Sequence, residues 1–406
     1  MKFYNKAFFL AALLSFGAKA QPLAEKDWTV LVFLNGINNL DSYGAEDINE
    51  MEKVGSTEKV NVVVEWGSYS ARNVKRLLVR KDDNTQVVSS PILHDLGLRD
   101  MGNYKELIDF VSWGVKNFPA KHYMLDVWNH GNGWEKSSRR SLINRDVSYD
   151  DISGNRITTE QMGLVMNEIK SQIGRNFDIL GFDACLMAMA EVAGEVADSV
   201  DYMVASEDLE PGDGWPYDDF LGAIHKGDTL ESPRSVAGAL VDSYANSYEG
   251  GSQGTSSITL SSFDLNAFKN SYETFKNFAD ALNVVASSNP KMLMNAVRNS
   301  KSFYVSEYRD LGSFLNVIQG QDFGVDRAVV SALASQLKEI VTANRGTGYF
   351  ESVQGLSITL PTSSYFWPSY GSRYVGFKFD QATGWSKWIE NISTFQGIDE
   401  SLASRL

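Results

Sequence analysis

Phe177-Asp178-Ile179-Leu180-Gly181-Phe182-Asp183-Ala184-Cys185 is the stretch on which the reading of this chain turns. It opens as an apolar run broken by one acid, which suits a mostly buried strand. The residues after it, Leu186 to Asp198, are rich in Leu, Met, Ala, Val and Glu, and this predicts a helix. Cys185 is therefore expected where a strand stops and a helix starts. Free amide N–H groups and the positive end of the helix dipole at such a place favour thiolate over thiol. It is the only cysteine in 406 residues. Two readings of the lone thiol stand side by side, a nucleophile and a small buried hydrophobe.

Runs of the same kind lie on both sides of this stretch. Trp28 to Leu34, Val60 to Trp66, His122 to Trp128 and Asp201 to Ser206 are β-prone and nearly continuous in apolar residues, as in strands covered on both faces. Helical patterns separate them. One is capped by Asp41 and runs to about Lys53, one covers Asn103 to Asn117, and one starts at Thr158 or Thr159 and reaches about Gln172. Val74 to Arg80 and Gln86 to Ser89 read as a hairpin around Asp82-Asp83-Asn84. Strands alternating with helices predict an α/β fold, a mainly parallel sheet with helices on both faces. In such sheets sites lie beyond the carboxyl ends of strands, and both His130 and Cys185 fall just past such an end.

Glu135 to Arg156 is polar, charged and aperiodic, a long loop. Glu207 to Tyr217 is a second loop, acidic, aromatic and rich in turn residues. Glu249 to Thr255 (EGGSQGT) is the best internal boundary. Beyond it, strands are expected at Ser256 to Phe263 and Gly355 to Pro361, with helical patterns at about 265–285, 290–303, 309–319 and 324–343. The expected division is a main α/β domain over 21–253 and a mainly helical subdomain over 254–406 whose strands add to the sheet.

The chain opens with Lys2 and Lys6, the apolar run Ala7 to Phe16, and Ala18-Lys19-Ala20. These are the three parts of a cleavable signal peptide, residues 1–20, which implies an exported protein, periplasmic or extracellular. No later stretch reaches membrane-span length. Without Lys2, Lys6 and Lys19 the mature chain is more acidic still than the −14 of the full sequence. Such a chain is not expected to bind nucleic acid or an anionic membrane through its overall field, whereas it suits basic substrates. One cysteine allows no internal disulfide, and nothing in the sequence sets an oligomeric state.

A thiol nucleophile needs an imidazole and donors for an oxyanion. The histidines are His94, His122, His130 and His225. His122 opens a strand, at the wrong edge, and His94 and His225 lie in polar segments without a flanking motif. His130 precedes Gly131-Asn132-Gly133, which permits close backbone approach to a ligand. The N–H groups of Gly131 and Cys185 are then candidates for the oxyanion hole. The bland reading of His130 is a turn histidine satisfied by backbone. There is no HExxH, no CxxC and no second nearby histidine, so no metal site is read and no cofactor is required.

Trp128-Asn129-His130-Gly131-Asn132-Gly133-Trp134, together with Asp178 to Cys185, resembles the clostripain family of cysteine peptidases. Ala205-Ser206-Glu207, Gly212-Asp213-Gly214-Trp215, Arg309-Asp310-Leu311 and Gly355-Leu356-Ser357-Ile358 add to the resemblance. It implies a caspase-like fold, a His130–Cys185 dyad, and cleavage of peptide or protein substrates after Arg or Lys. It also implies that Asp183, two residues before the thiol, binds the basic side chain; the alternative for Asp183 is a helix cap. Asp213 is a second substrate-binding candidate. Calcium assists some family members, but no EF-hand pattern is present. Family members cut themselves between the two dyad residues, and here that loop holds Arg139, Arg140 and Arg145, each a candidate for self-cleavage. Two other functions fit the same residues, a binding module that keeps the fold without the chemistry and a thiol hydrolase of small amides or esters.

Overall fold

The computed structural model describes residues 24–134 and 146–403. The signal peptide at 1–20 and the self-cleavage candidates Arg139, Arg140 and Arg145 lie outside the described residues. In chain order the first elements are β1 (Lys26–Gly36), α1 (Asp41–Val54), β2 (Val60–Ser68), β3 (Asn73–Leu78), β4 (Ile92–Gly97), α2 (Tyr104–Asn117) and β5 (Ala120–Trp128). They are followed by α3 (Thr159–Ile173), β6 (Phe177–Gly181), α4 (Ala190–Val196), β7 (Val200–Ala205), α5 (Tyr217–Ile224) and α6 (Pro233–Tyr248).

Five parallel strands form the centre of the sheet, in the order β7, β6, β5, β1, β2. β3 and β4 continue it antiparallel on one side. Strands Thr259–Asp264 and Val341–Gly346 continue it antiparallel on the other. The fold is thus α/β with a mainly parallel sheet, and the later part of the chain contributes two strands to it. The pleat explains the two cores. Along β1, Trp28, Val30, Val32 and Leu34 face one side and meet α1, α5 and α6. Leu31 and Phe33 face the other side, with α2, α3, α4 and the helices of the later part of the chain. Burial on both faces is why these strands carry almost no polar residues.

Several local expectations change. The strand paired with β3 is Ile92–Gly97, not Gln86 to Ser89. It is an exposed edge strand, so no apolar run marks it. Asp41 does not cap α1; its carboxylate accepts from the amides of Tyr69 and Ser70 at 3.0 and 2.8 Å. The helical pattern read over 324–343 ends at Ile340, and the chain continues as an edge strand. Tyr308–Asp310 is a short strand before helix Leu311–Gly320 begins. Within the loop read over Glu135 to Arg156, Val147 bridges both Gly131 and Ile157.

Candidate active site

β5 and β6 are neighbours, with Met124 opposite Ile179 and Asp126 opposite Gly181. His130 and Cys185 therefore leave adjacent strands at the same edge of the sheet. The two loops are tied directly, since Asn129 N–H donates to the Asp183 carbonyl at 3.1 Å. Gly131 packs on the thiol's own peptide unit. A Cβ at this position would lie 2.3 Å from the Cys185 carbonyl oxygen and 3.1 Å from its nitrogen. Only glycine allows that approach, and it brings the Gly131 and Cys185 backbones together as an oxyanion hole requires.

Cys185 is not at a helix start. α4 begins at Ala190, and Leu186 takes the left-handed conformation with φ 65°. The chain between them pairs with the loop after β7, through Leu186 N–H to Asp208 O and Ala188 N–H to Ser206 O. The dipole argument for a thiolate therefore falls. Burial instead pushes the thiol pKa up, the Glu210 amide opposes this, and the carboxylates of Asp183 and Asp208 add to the rise. The Glu210 N–H donates to Sγ at 3.2 Å.

His130 is half-buried, and its Nε2 lies 2.8 Å from Asn39 Oδ1. With the amide oxygen accepting, Nε2 carries the hydrogen. The His130 amide donates to Asn129 Oδ1 at 2.6 Å, and Asn129 Nδ2 donates to the Asn35 carbonyl at 2.6 Å. The polar turn after β1, Asn35 to Asn39, thus supports the histidine loop. The other early histidine has a structural post. His122 stacks on Trp28 and bonds to Asp178 at 2.8 Å, which explains the acid inside the apolar run of β6.

A cleft of about 190 Å³ holds His130, Cys185, Asp183, Glu210, Leu40 and Trp128. A larger apolar cavity of about 610 Å³, lined by Lys26, Leu78, Trp113 and Phe118, lies where β1 and β5 start, away from the thiol. Size does not choose the site here; chemistry does. At the floor of the cleft three carboxyl groups meet. Tyr217 Oη donates to Asp126 Oδ2 at 2.6 Å and sits 2.9 Å from Asp183 Oδ2, while Trp215 N–H donates to that same Asp183 oxygen at 3.1 Å. Both Glu210 carboxylate oxygens are buried without a hydrogen-bond partner of good geometry, although Asp183 is near enough to share a proton with Glu210. Burial raises the pKa of all three, and among the described residues no Lys or Arg is a leading influence on any of them. Gly214, with φ 58°, leaves room for the cluster, since a Cβ there would sit 3.0 Å from both Asp183 oxygens.

Asp183 is therefore not a helix cap but the floor of the cleft beside the thiol. Asp213 does not join it. Its residue is exposed and absent from the cleft lining, with its carbonyl accepting from Gln253 Nε2 at 2.8 Å. The acid of that loop which reaches the cleft is Glu210. The sequence offered no sign of this, because acids are frequent between Glu207 and Asp213. Among the described residues no group of three or more His, Cys, Asp or Glu side chains is placed to hold a metal ion. No helix among them is long and apolar enough to cross a membrane.

The segment 135–145 separates His130 from the rest of the site, and both its flanks are gripped by one side chain. Arg373 donates to the Trp134 carbonyl, to Asp146 Oδ1 at 2.6 Å, and to both Glu160 carboxylate oxygens at 2.7 Å.

The model of the clostripain family matches residues 32–392. The clostripain of Hathewaya histolytica is 30% identical over 226 residues, which cover 49% of this chain and 42% of that protein. The chain thus spans less than half the length of this curated relative. Two crystal structures share the fold. One is a secreted C11 cysteine protease from Bacteroides thetaiotaomicron in complex with an irreversible peptide inhibitor, 19% identical, TM-score 0.67, covering 89% of this chain and 99% of that one. The other is an inactive zymogen C11 protease from Parabacteroides distasonis, 17% identical, TM-score 0.67, with the same coverage.

Proposed function

The chain belongs to the clostripain family, and from that premise we propose that it is an exported cysteine endopeptidase cutting after Arg or Lys, with His130 as base and Cys185 as nucleophile. The observation that carries the specificity is the cleft floor. Asp183 and Glu210 are buried beside the thiol, and among the described residues no Lys or Arg is a leading influence on either. Buried carboxylates without a partner are costly. A guanidinium or ammonium entering the cleft supplies the missing charge and forms charge-assisted hydrogen bonds.

The reaction then runs on protein groups. His130 takes the Sγ proton as the sulfur attacks the scissile carbonyl, forming the C–S bond. The amides of Gly131 and Cys185 hold the oxyanion. His130 returns the proton to the leaving nitrogen as the C–N bond breaks. Water, deprotonated by His130, then cleaves the thioester and restores the thiol.

Self-cleavage after Arg139, Arg140 or Arg145 belongs to the same reading. Such a cut leaves Trp134 on one fragment and Asp146 on the other, both held by Arg373. The fragments are expected to stay together.

Fluorogenic peptides ending in Arg, Lys, Asp or Leu test the proposal. Only the first two are expected to be turned over, and one equivalent of iodoacetamide is expected to abolish the activity. Cys185→Ala is expected to be inactive and to remain a single band on a denaturing gel, whereas the wild type separates into two. Full activity in Cys185→Ala ends the peptidase reading; equal turnover of the Leu peptide ends the basic specificity.

A further inference from the structure

Leu209 adjoins Glu210 in the chain, is absent from the cleft lining and is 41% exposed. Two exposed aromatic residues sit on segments tied to this loop. Tyr304 is 62% exposed and Tyr349 69%. Hydrogen bonds and ring contacts link the segments that carry them. The Tyr304 N–H donates to Asp208 Oδ1 at 2.9 Å, which fixes it beside Leu209. The ring of the preceding residue, Phe303, is buried 6.1 Å from that of Phe350. Tyr349 is fixed in turn. Its N–H donates to Ser257 Oγ at 3.1 Å, Lys301 Nζ donates to its carbonyl at 2.6 Å, and the same ammonium lies 3.0 Å from its ring centroid.

These rings are anchored through their backbones and still face solvent. Exposed apolar surface costs free energy unless something covers it. A ring already held in place loses little freedom when it is covered, which favours binding. The occupant is limited by size. Three partly exposed side chains offer roughly a few hundred Å², well below the roughly 800 Å² per partner of a stable protein interface. That area suits one or two side chains of a peptide.

We propose that Leu209, Tyr304 and Tyr349 form a shelf that takes a bulky apolar side chain of the polypeptide substrate, flanking the basic residue held at Asp183 and Glu210. This inference rests on the peptidase reading and extends it from one substrate residue to a pair, basic and apolar. The shelf starts at the residue next to Glu210, so one extended peptide spans both contacts at about 3.3 Å per residue. Covering the rings removes apolar surface from both partners, and the Lys301 ammonium at the far end disfavours a basic residue there.

The test is a set of peptides around one Arg, carrying Leu, Phe, Ser or Lys in turn at each position within three residues of it. The wild type is expected to favour Leu or Phe over Ser at one position by about tenfold in kcat/KM, the discrimination an apolar pocket gives. In the double variant Tyr304→Ser, Tyr349→Ser the ratio is expected to fall to near one, with the melting temperature measured alongside. A wild type without preference overturns the shelf. So does a preference that survives in the variant, or an equal loss on all peptides. Concentration-dependent dimers of the wild type that vanish in the variant assign the patch to a second copy instead and likewise overturn it. A wild type inert toward a plain acyl-arginine amide strikes the peptidase reading itself, an outcome separate from the other four.

Discussion

Glu210 joins the two halves of the site in one residue. Its amide holds the Cys185 sulfur, and its carboxyl closes the floor with Asp183. The carboxyl is buried, and burial and the neighbouring Asp183 carboxylate hold its pKa well above the ordinary value. Glu210→Gln copies the shape of the protonated acid and keeps the amide. It removes an acid whose ionisation the fold resists, so the variant is expected to unfold at the same or a higher temperature at pH 8. It also removes a charge that a basic substrate draws out. Catalytic efficiency on Arg peptides is expected to fall at least about tenfold, or roughly 1.4 kcal/mol, with neutral peptides little affected. A less stable variant with full activity on Arg peptides would falsify this assignment of Glu210.

At the scale of elements, the loop after β7 does more than connect. It pairs with the chain after Cys185, donates to the sulfur, and turns at Gly214 over the Asp183 carboxylate. Gly214→Ala tests that turn. The added methyl would press on both Asp183 oxygens and takes a left-handed φ, a strain of about 1 kcal/mol. The expected result is a modest loss of melting temperature and a much larger loss of activity on Arg and Lys peptides. A loss on neutral peptides just as large would make the turn a general support of the thiol. The parallel strands were legible in the sequence because burial on both faces leaves an apolar run that nothing else imitates. Ile92–Gly97 and Val341–Gly346 were not, because edge strands meet water and carry no such run. The placement of His130 and Cys185 past strand ends was legible, His130 from the glycines after it and Cys185 from the apolar run before it. The other two carboxyls of the floor were hidden, since Asp126 sits within the strand run of β5 and Glu210 among equivalent acids. Which acid turns inward is set by Pro211 to Trp215 folding back over β6, a long-range event. The supposed helix start at Cys185 failed for the same reason, as pairing with the loop after β7 overrode local helix propensity.

Across the whole molecule, buried acids are a shared liability. Burial raises Glu50 to about 7 and Asp310 to about 6, in addition to the cleft floor. A carboxyl whose folded pKa lies above its unfolded value binds its proton more tightly when folded. Its stabilising effect is full at acid pH and is lost as pH rises from about 4 through 6 to 7. The net charge of −14 adds self-repulsion in the same direction. Melting temperatures are therefore expected to fall between pH 5.5 and pH 8.5, and a protein that melts higher at pH 8.5 would contradict this. Arg373, finally, decouples the length of segment 135–145 from the fold. Its grip on Trp134, Asp146 and Glu160 sets where the two ends stand, whatever runs between them. Doubling a linker between fixed ends costs only about 0.6 kcal/mol. A designer could therefore write another enzyme's recognition site between these two ends without moving either of them.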